Sequence, residues 1–284
     1  MSSHNVLLNR IFSQNSLSSI LKNQENSPYI SVIRRYIKNP EGKTNLSLIS
    51  EIYQYLQNDY RNEYFYKNTL LNQLLTYTKK HSVKNTTALT EIPIARSKAD
   101  FILINGKAEV YEIKTELDNF DRLTTQIQDY FCAFDHVSVV TCEENLAKLK
   151  IILKGSMVGI YFLDKNSDLK QVKASKKYTA QLDHNVLFKI LRKHEYERIL
   201  LRFFKKLPNV SQFKYYSTCL ELFKNIEISS LYKVFKMELK KRSIINEEQY
   251  LIMPEPLKSF IYFSYPKNTD LKKINTFLNS EFRG

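Results

Sequence analysis

The sequence predicts an α/β fold: a mixed sheet flanked by helices, followed by a helical C-terminal region. Three observations carry this. Residues 88–114 have strand chemistry, broken by a strong hairpin signal at Asn105-Gly106. Helical periodicity and short buried strands alternate after it, which is the pattern of a layered α/β core. From about His184 the chain is rich in helical spacing and in basic residues to its end. With 284 residues and 43% apolar content, it can bury a core without disulfides or metals.

Taken in order, residues 1–45 read as a polar extension with one amphipathic patch, Tyr29–Ile37, started by Ser27-Pro28. Residues 46–183 read as the core domain. Ile49, Ile52, Tyr53 and Leu56, then Leu70, Leu71, Leu74 and Leu75, recur at helical spacing, so residues 46–80 form two helices or one bent one. After the hairpin, Asn119–Phe134 is helical, Val137–Val140 a short strand, Glu143–Leu153 a helix and Met157–Leu163 a strand. Residues 184–284 read as a basic helical C-terminal domain, interrupted at Pro208 and at Pro254-Glu255-Pro256.

The formal net charge is +14. Residues 1–62 hold 7 Lys/Arg against 4 Asp/Glu, residues 63–183 hold 17 against 15, and residues 184–284 hold 19 against 10. The excess therefore concentrates in the last third, which draws that part towards polyanions. Three cysteines without a short-spaced pair argue against a disulfide framework and a zinc knuckle, and the five histidines show no ligand spacing with them. A reducing, cytoplasmic setting is expected. No apolar run approaches the ~18 residues that span a bilayer, and the first twenty residues lack the apolar stretch of a secretory signal. A flexible N-terminal tail is expected there.

The candidate chemistry lies in residues 99–115, ADFILINGKAEVYEIKT. Strand alternation puts Ala108, Val110, Glu112 and Lys114 on one face and Glu109, Tyr111 and Ile113 on the other. Where Asp100 points depends on the turn. A two-residue Asn-Gly turn pairs Ile104 with Lys107 and sends Asp100 away from Glu112. A three-residue loop, Ile104 to Gly106, pairs Leu103 with Lys107 and puts Asp100 opposite Val110, diagonal to Glu112. Only the second lets the two carboxylates meet around one cation. Two carboxylates suit Mg²⁺, with Mn²⁺ expected to substitute, and a lysine two residues on can orient water or neutralise charge growing on a phosphate.

Two helices would complete such a site. In residues 119–134, Arg122, Gln126 and Tyr130 recur at i, i+4 and i+8 and offer a guanidinium, an amide and a phenol, with Asp118 or Asn119 as the N-cap. In the helix from about Asn62 to Lys80, Glu63 shares a face with Lys67, Leu70 and Leu74, on the core-facing side. Glu91 is a second acidic candidate on a short strand.

These motifs resemble the PD-(D/E)XK superfamily, whose common core is a restriction-endonuclease-like αβββαβ arrangement. The resemblance implies metal ligation by Glu63, Asp100 and Glu112, catalysis by those three with Lys114, and Mg²⁺ as cofactor. Residues 126–130, QIQDY, resemble the QxxxY helix of RecB-like members, which implies nucleic-acid contacts by Gln126 and Tyr130, with Arg122 and Lys98 beside them. More closely, NEYFYKNTLLN (62–72), SKAD (97–100), and YEIKTELD (111–118) followed by Arg122-Leu123 resemble a bacterial and phage-borne sce-type family of hypothetical proteins. The resemblance covers roughly residues 60–165. Ala99 stands where the superfamily motif has proline. The function it implies is a metal-dependent nuclease, acting on DNA ahead of RNA, in phage defence or on a mobile element. The alternative is an inactive derivative that binds nucleic acid or a protein partner. No membrane partner is expected, and residues 184–284 could join a second copy or an accessory protein.

Overall fold

The computed structural model describes residues 5–13, 15, 16, 19, 28–77, 86–242, 247–264 and 266–283. The chain divides into two compact units, the first formed by both ends of the chain and the second by its middle.

In the first unit, α1 (Asn5–Ile11), α2 (Pro28–Tyr36), α3 (Asn45–Asn58) and α4 (Glu63–Tyr77) join C-terminal helices Glu247–Ile252, Lys258–Ser264 and Asn268–Asn279. Pro28 opens α2, where its missing N–H costs nothing. Residues 46–77 are thus two helices, not one bent one. Asn62 caps α4 through its side-chain oxygen, which accepts from the Phe65 N–H at 3.0 Å. Buried amides tie the two ends of the chain together. Asn45 accepts from the Tyr29 hydroxyl at 2.6 Å and donates to the carbonyls of Phe277 and Ser280. Asn68, fully buried, donates to the Tyr53 hydroxyl and the Glu255 carbonyl and accepts from the Ser259 N–H. The described part of residues 1–45 is therefore no polar tail. Leu8, Ile11, Phe12, Tyr29, Val32 and Ile33 are buried, and the Phe12 ring stacks on Tyr64 at 4.1 Å.

The second unit holds a six-stranded mixed sheet in sequential order. Strands β1 (Thr87–Ile94), β2 (Ser97–Ile104) and β3 (Ala108–Lys114) run antiparallel as a meander. Strands β4 (His136–Cys142) and β5 (Gly159–Leu163) follow β3 in parallel, and β6 (Leu169–Lys173) returns antiparallel. The parallel steps need crossovers, supplied by α5 (Leu123–Phe131) and α6 (Leu146–Ile152). The lysine-bearing edge strand β6 is not legible in the sequence, since KQVK lacks an apolar face.

Four more helices pack in this unit: α7 (His184–Ile190), α8 (Lys193–Phe204), α9 (Gln212–Lys224) and α10 (Ile228–Lys240). Leu187, Phe188, Ile199, Phe223, Leu231 and Phe235 share one apolar cluster with Val110, Ile127, Val139 and Ile160 of the sheet and α5. Polar ties reinforce it. Tyr232 of α10 donates to the buried Asp135 at 2.8 Å, and Arg242 pairs with the buried Glu195 at 2.5 Å. The division by packing therefore differs from a separate domain over residues 184–284. The helices up to residue 242 complete the core of the sheet, and those after it belong with the N-terminal helices. The charge follows the same line: residues 184–242 hold 14 Lys/Arg against 5 Asp/Glu, whereas residues 243–284 hold 5 of each.

Candidate active site

The β2–β3 turn sets the geometry. Its loop is Asn105-Gly106-Lys107, with Ile104 paired to Ala108 and Phe101 to Tyr111. Neither register expected from the sequence is adopted. The loop has three residues, but lies one position further along. The Asn105 N–H donates to the Lys107 carbonyl at 3.0 Å, Gly106 takes φ +103, and the Lys107 ammonium reaches Glu109 at 2.6 Å. The shift preserves which face each side chain takes. The ladder ends at Phe101 with Tyr111; carried one pair further, its register would set Asp100 beside Glu112, not diagonal to it.

Glu112 is almost fully buried, and three protein groups serve its carboxylate. Oε1 takes the Lys114 ammonium at 2.9 Å and the Gln126 amide at 2.5 Å. Oε2 takes the Tyr130 hydroxyl at 2.5 Å. Lys114 also donates to the Gln126 side-chain oxygen at 2.9 Å. The Tyr130 hydroxyl touches the Lys98 carbonyl at 3.0 Å, so one phenol links β2, β3 and α5. Burial, followed by the Glu112 charge, raises the Tyr130 pKa far above the phenol range, so it remains a donor. The spacing Gln126–Tyr130 thus puts both groups on the metal-ligand candidate. The phenol itself is fully buried, turned to the Glu112 carboxylate.

Asp100 accepts from the Ile113 N–H at 2.8 Å. In the β1–β2 register Glu91 falls opposite Asp100, but the ladder is interrupted there. Glu91 takes φ +56, in the left-handed region that a non-glycine residue seldom adopts. Its carboxylate comes within 4.8 Å of an Asp100 carboxylate oxygen and also pairs with Lys98. A local strain that re-aims an acidic side chain is a feature of functional positions.

The remaining candidates lie as follows. Glu63 opens α4 of the first unit; it is more than half exposed and pairs with Lys67 at 2.6 Å, so it does not face the core as the helical periodicity suggested. Arg122 is exposed and stands at the N-cap of α5, without a side-chain cap bond. The helix starts four residues later than expected because Asp118 bonds back to the Thr115 N–H and hydroxyl, at 2.8 and 2.7 Å. Lys98 is exposed.

Sequence reading missed three groups. Asp129, inside the QxxxY motif, accepts from the Ser97 hydroxyl at 2.7 Å and the Arg96 N–H at 3.3 Å, which latches the β1–β2 turn to α5. Glu109, on the opposite sheet face, is fully buried. It accepts from Ser138 and Ser175 at 2.6 Å each, from Tyr111 at 2.9 Å and from Lys107. Burial raises its pKa, and these donors more than reverse that, leaving it below the usual range. Its alternation with Glu112 along β3 was the available signal. Glu116, Cys142 and Glu144 bring ligand atoms within 4.8 Å of one another. Burial, then the neighbouring carboxylates, raise the Cys142 thiol against one backbone hydrogen bond, which disfavours the thiolate that a metal needs.

The second unit is thus a mixed-sheet α/β unit with a carboxylate–lysine–amide–phenol cluster at one strand end. The chain belongs to the family of bacteriophage P4 protein cII, whose model matches residues 56–259. No curated protein matches it. Among solved structures, a protein of unknown function from Silicibacter pomeroyi is similar at 17% identity, covering 50% of this chain and 94% of that one, with a TM-score of 0.31. That likeness is too slight to carry an argument.

Proposed function

We propose that the chain is a Mg²⁺-dependent nuclease of the PD-(D/E)XK kind, with a restriction-endonuclease-like core and DNA ahead of RNA as substrate. The observation that carries this is the cluster of Glu112 with Lys114, Gln126 and Tyr130 on β3 and α5, with the Asp100 carboxylate held on the Ile113 N–H of the same strand. The donor chemistry fits a hard cation. The carboxylates are oxygen ligands, and Glu91 and Asp100 already approach within 4.8 Å. Asp100 and Glu112 are the two motif carboxylates of this unit that would hold the ion. When bound, the ion supplies Lewis acidity at a phosphate and lowers the pKa of water. Lys114 orients the attacking water and offsets the charge that grows on the phosphate. Gln126 and Tyr130 fix the Glu112 carboxylate so that it does not reorganise during the reaction. Membership of a phage family supports a setting in a phage or mobile element.

One observation favours the second reading, an inactive derivative that binds nucleic acid or a partner. Both oxygens of Glu112 are already occupied by protein donors, and Lys114 is itself largely buried. Calorimetric titration with Mg²⁺ and Mn²⁺ separates the two. The nuclease reading expects saturable binding, lost in Asp100→Asn and in Glu112→Gln. Absence of binding to the wild-type chain would leave the second reading in place.

A further inference from the structure

The hairpin of α8 and α9 carries a surface that the cluster at Glu112 does not use. Between Glu197 and Glu221 the chain has no acidic residue, yet it holds Arg198, Arg202, Lys205, Lys206 and Lys214. Arg198 is committed to Glu238 at 2.6 Å. The other four are exposed, and among the described residues none forms an ion pair. They cluster around the end of the hairpin, in the last turn of α8, the connection 205–211 and the first turn of α9.

The same end displays aromatic rings. Phe213 is 95% exposed, Tyr216 50% and Phe203 36%. A phenylalanine so bare contributes nothing to the fold. Its mounting is nevertheless firm. One turn on, Tyr216 packs edge-on against Phe188 at 5.2 Å and Tyr196 at 6.4 Å. Its neighbour Tyr215 donates to Glu197 at 2.7 Å and lies under the Lys193 ammonium at 5.0 Å. These contacts anchor the start of α9, so Phe213 projects from a firmly packed element.

We propose that this hairpin end binds single-stranded nucleic acid, with Phe213 as the ring on which a base stacks and Arg202, Lys205, Lys206 and Lys214 as phosphate contacts. Flat rings set among unpaired cations match a flexible polyanion that bears unstacked bases. A duplex offers the same phosphates but keeps its base faces covered, so the ring has no partner there. The polar residues Asn209, Ser211 and Gln212, all exposed, interrupt the apolar surface, which disfavours insertion into an anionic membrane. The proposal goes beyond the nuclease reading and stands without it, because binding needs neither Asp100 nor Glu112.

The test is fluorescence anisotropy on the full chain in EDTA, where cleavage plays no part. The probes are labelled oligo-dT and a duplex of the same length, both read across a salt series. Phe213→Ala, at a bare position, leaves the fold untouched. It is expected to weaken single-strand binding roughly 5- to 150-fold and duplex binding less than about twofold. Phe213→Trp is expected to restore the single-strand affinity. Lys205→Glu with Lys206→Glu should weaken both probes and flatten the dependence of single-strand affinity on salt, by about 0.7 in log–log slope for each phosphate no longer neutralised. Unchanged single-strand binding in Phe213→Ala, or equal loss on both probes, would overturn the stacking role. Failure of the wild-type chain to bind oligo-dT would overturn the proposal. So would binding to phosphatidylserine vesicles that Phe213→Ala abolishes, or self-association in sedimentation that it abolishes. A null result in the metal titration leaves all these outcomes readable.

Discussion

Tyr130→Phe removes one oxygen atom from the most connected point of the candidate site. That hydroxyl donates to Glu112 at 2.5 Å and lies 3.0 Å from the Lys98 carbonyl, in a side chain with no exposed surface. No water can take its place. The phenol has one proton to give, and a hydrogen bond to a buried charged group contributes about 1.5–3 kcal/mol. The substitution preserves the ring and its packing, so the expected loss is about 1.5–3 kcal/mol. Urea unfolding followed by circular dichroism reads it as a lower midpoint at unchanged slope. Gln126→Ala is the control. Gln126 serves the same carboxylate but is only half buried, so water replaces its amide and the expected loss is below about 1 kcal/mol. A loss in Tyr130→Phe under about 0.5 kcal/mol, or equal losses in the two variants, would refute the view that the phenol holds Glu112 in place.

Three further outcomes follow from the packing. In Gly159→Ala the new Cβ would stand 2.2 Å from the Ser138 hydroxyl and 2.9 Å from the Ser175 N–H, disturbing two residues that serve buried Glu109. The expected cost is about 1–3 kcal/mol in urea midpoint, and a change within about 0.5 kcal/mol would contradict the close approach. A chain ending at Asp183 loses Leu187, Phe188, Phe223 and Phe235 from the sheet's core and is expected to lack a cooperative unfolding transition; a sharp transition would restore the separate C-terminal domain. Asp135, Glu109 and Glu195 are each raised by burial, but hydrogen bonds and cationic neighbours reverse this and hold them below the usual range. Groups depressed in the folded state give stability that is present above the unfolded pKa, about 4, and is lost as pH falls through the folded values. The urea midpoint should therefore hold from pH 7 to about 5 and fall below about 4, and a rise on acidification would reverse the sign of the account.

Local chemistry made the strand end legible. Asn105-Gly106 marks a hairpin whatever surrounds it, alternation places Glu112 with Lys114, and the spacing of Gln126 and Tyr130 places both on one helix stripe. The loop register was not legible, because it rests on Lys107 reaching Glu109, whose burial depends on Ser138 and Ser175 far along the chain. Periodicity put Glu63 with the buried leucines, yet at the first position of α4 it swings out to Lys67. The two-unit organisation depends on pairs such as Asn45 with Phe277 and Ser280, more than two hundred residues apart. No short window carries that information. The burial of Glu109 was not legible, because a strand with a carboxylate on each face looks, in sequence, like one with a solvated side.

The central claim is tested most directly by a cleavage assay on the purified full chain. Circular single-stranded DNA, duplex DNA and RNA would each be incubated with Mg²⁺ or with EDTA, using wild type and Lys114→Met. The account predicts Mg²⁺-dependent cleavage by the wild type, with DNA cut ahead of RNA, falling about 10²–10⁴-fold in the variant while the variant remains folded. Cleavage that persists in EDTA, or a Lys114→Met variant that keeps more than about a tenth of the rate, would contradict it.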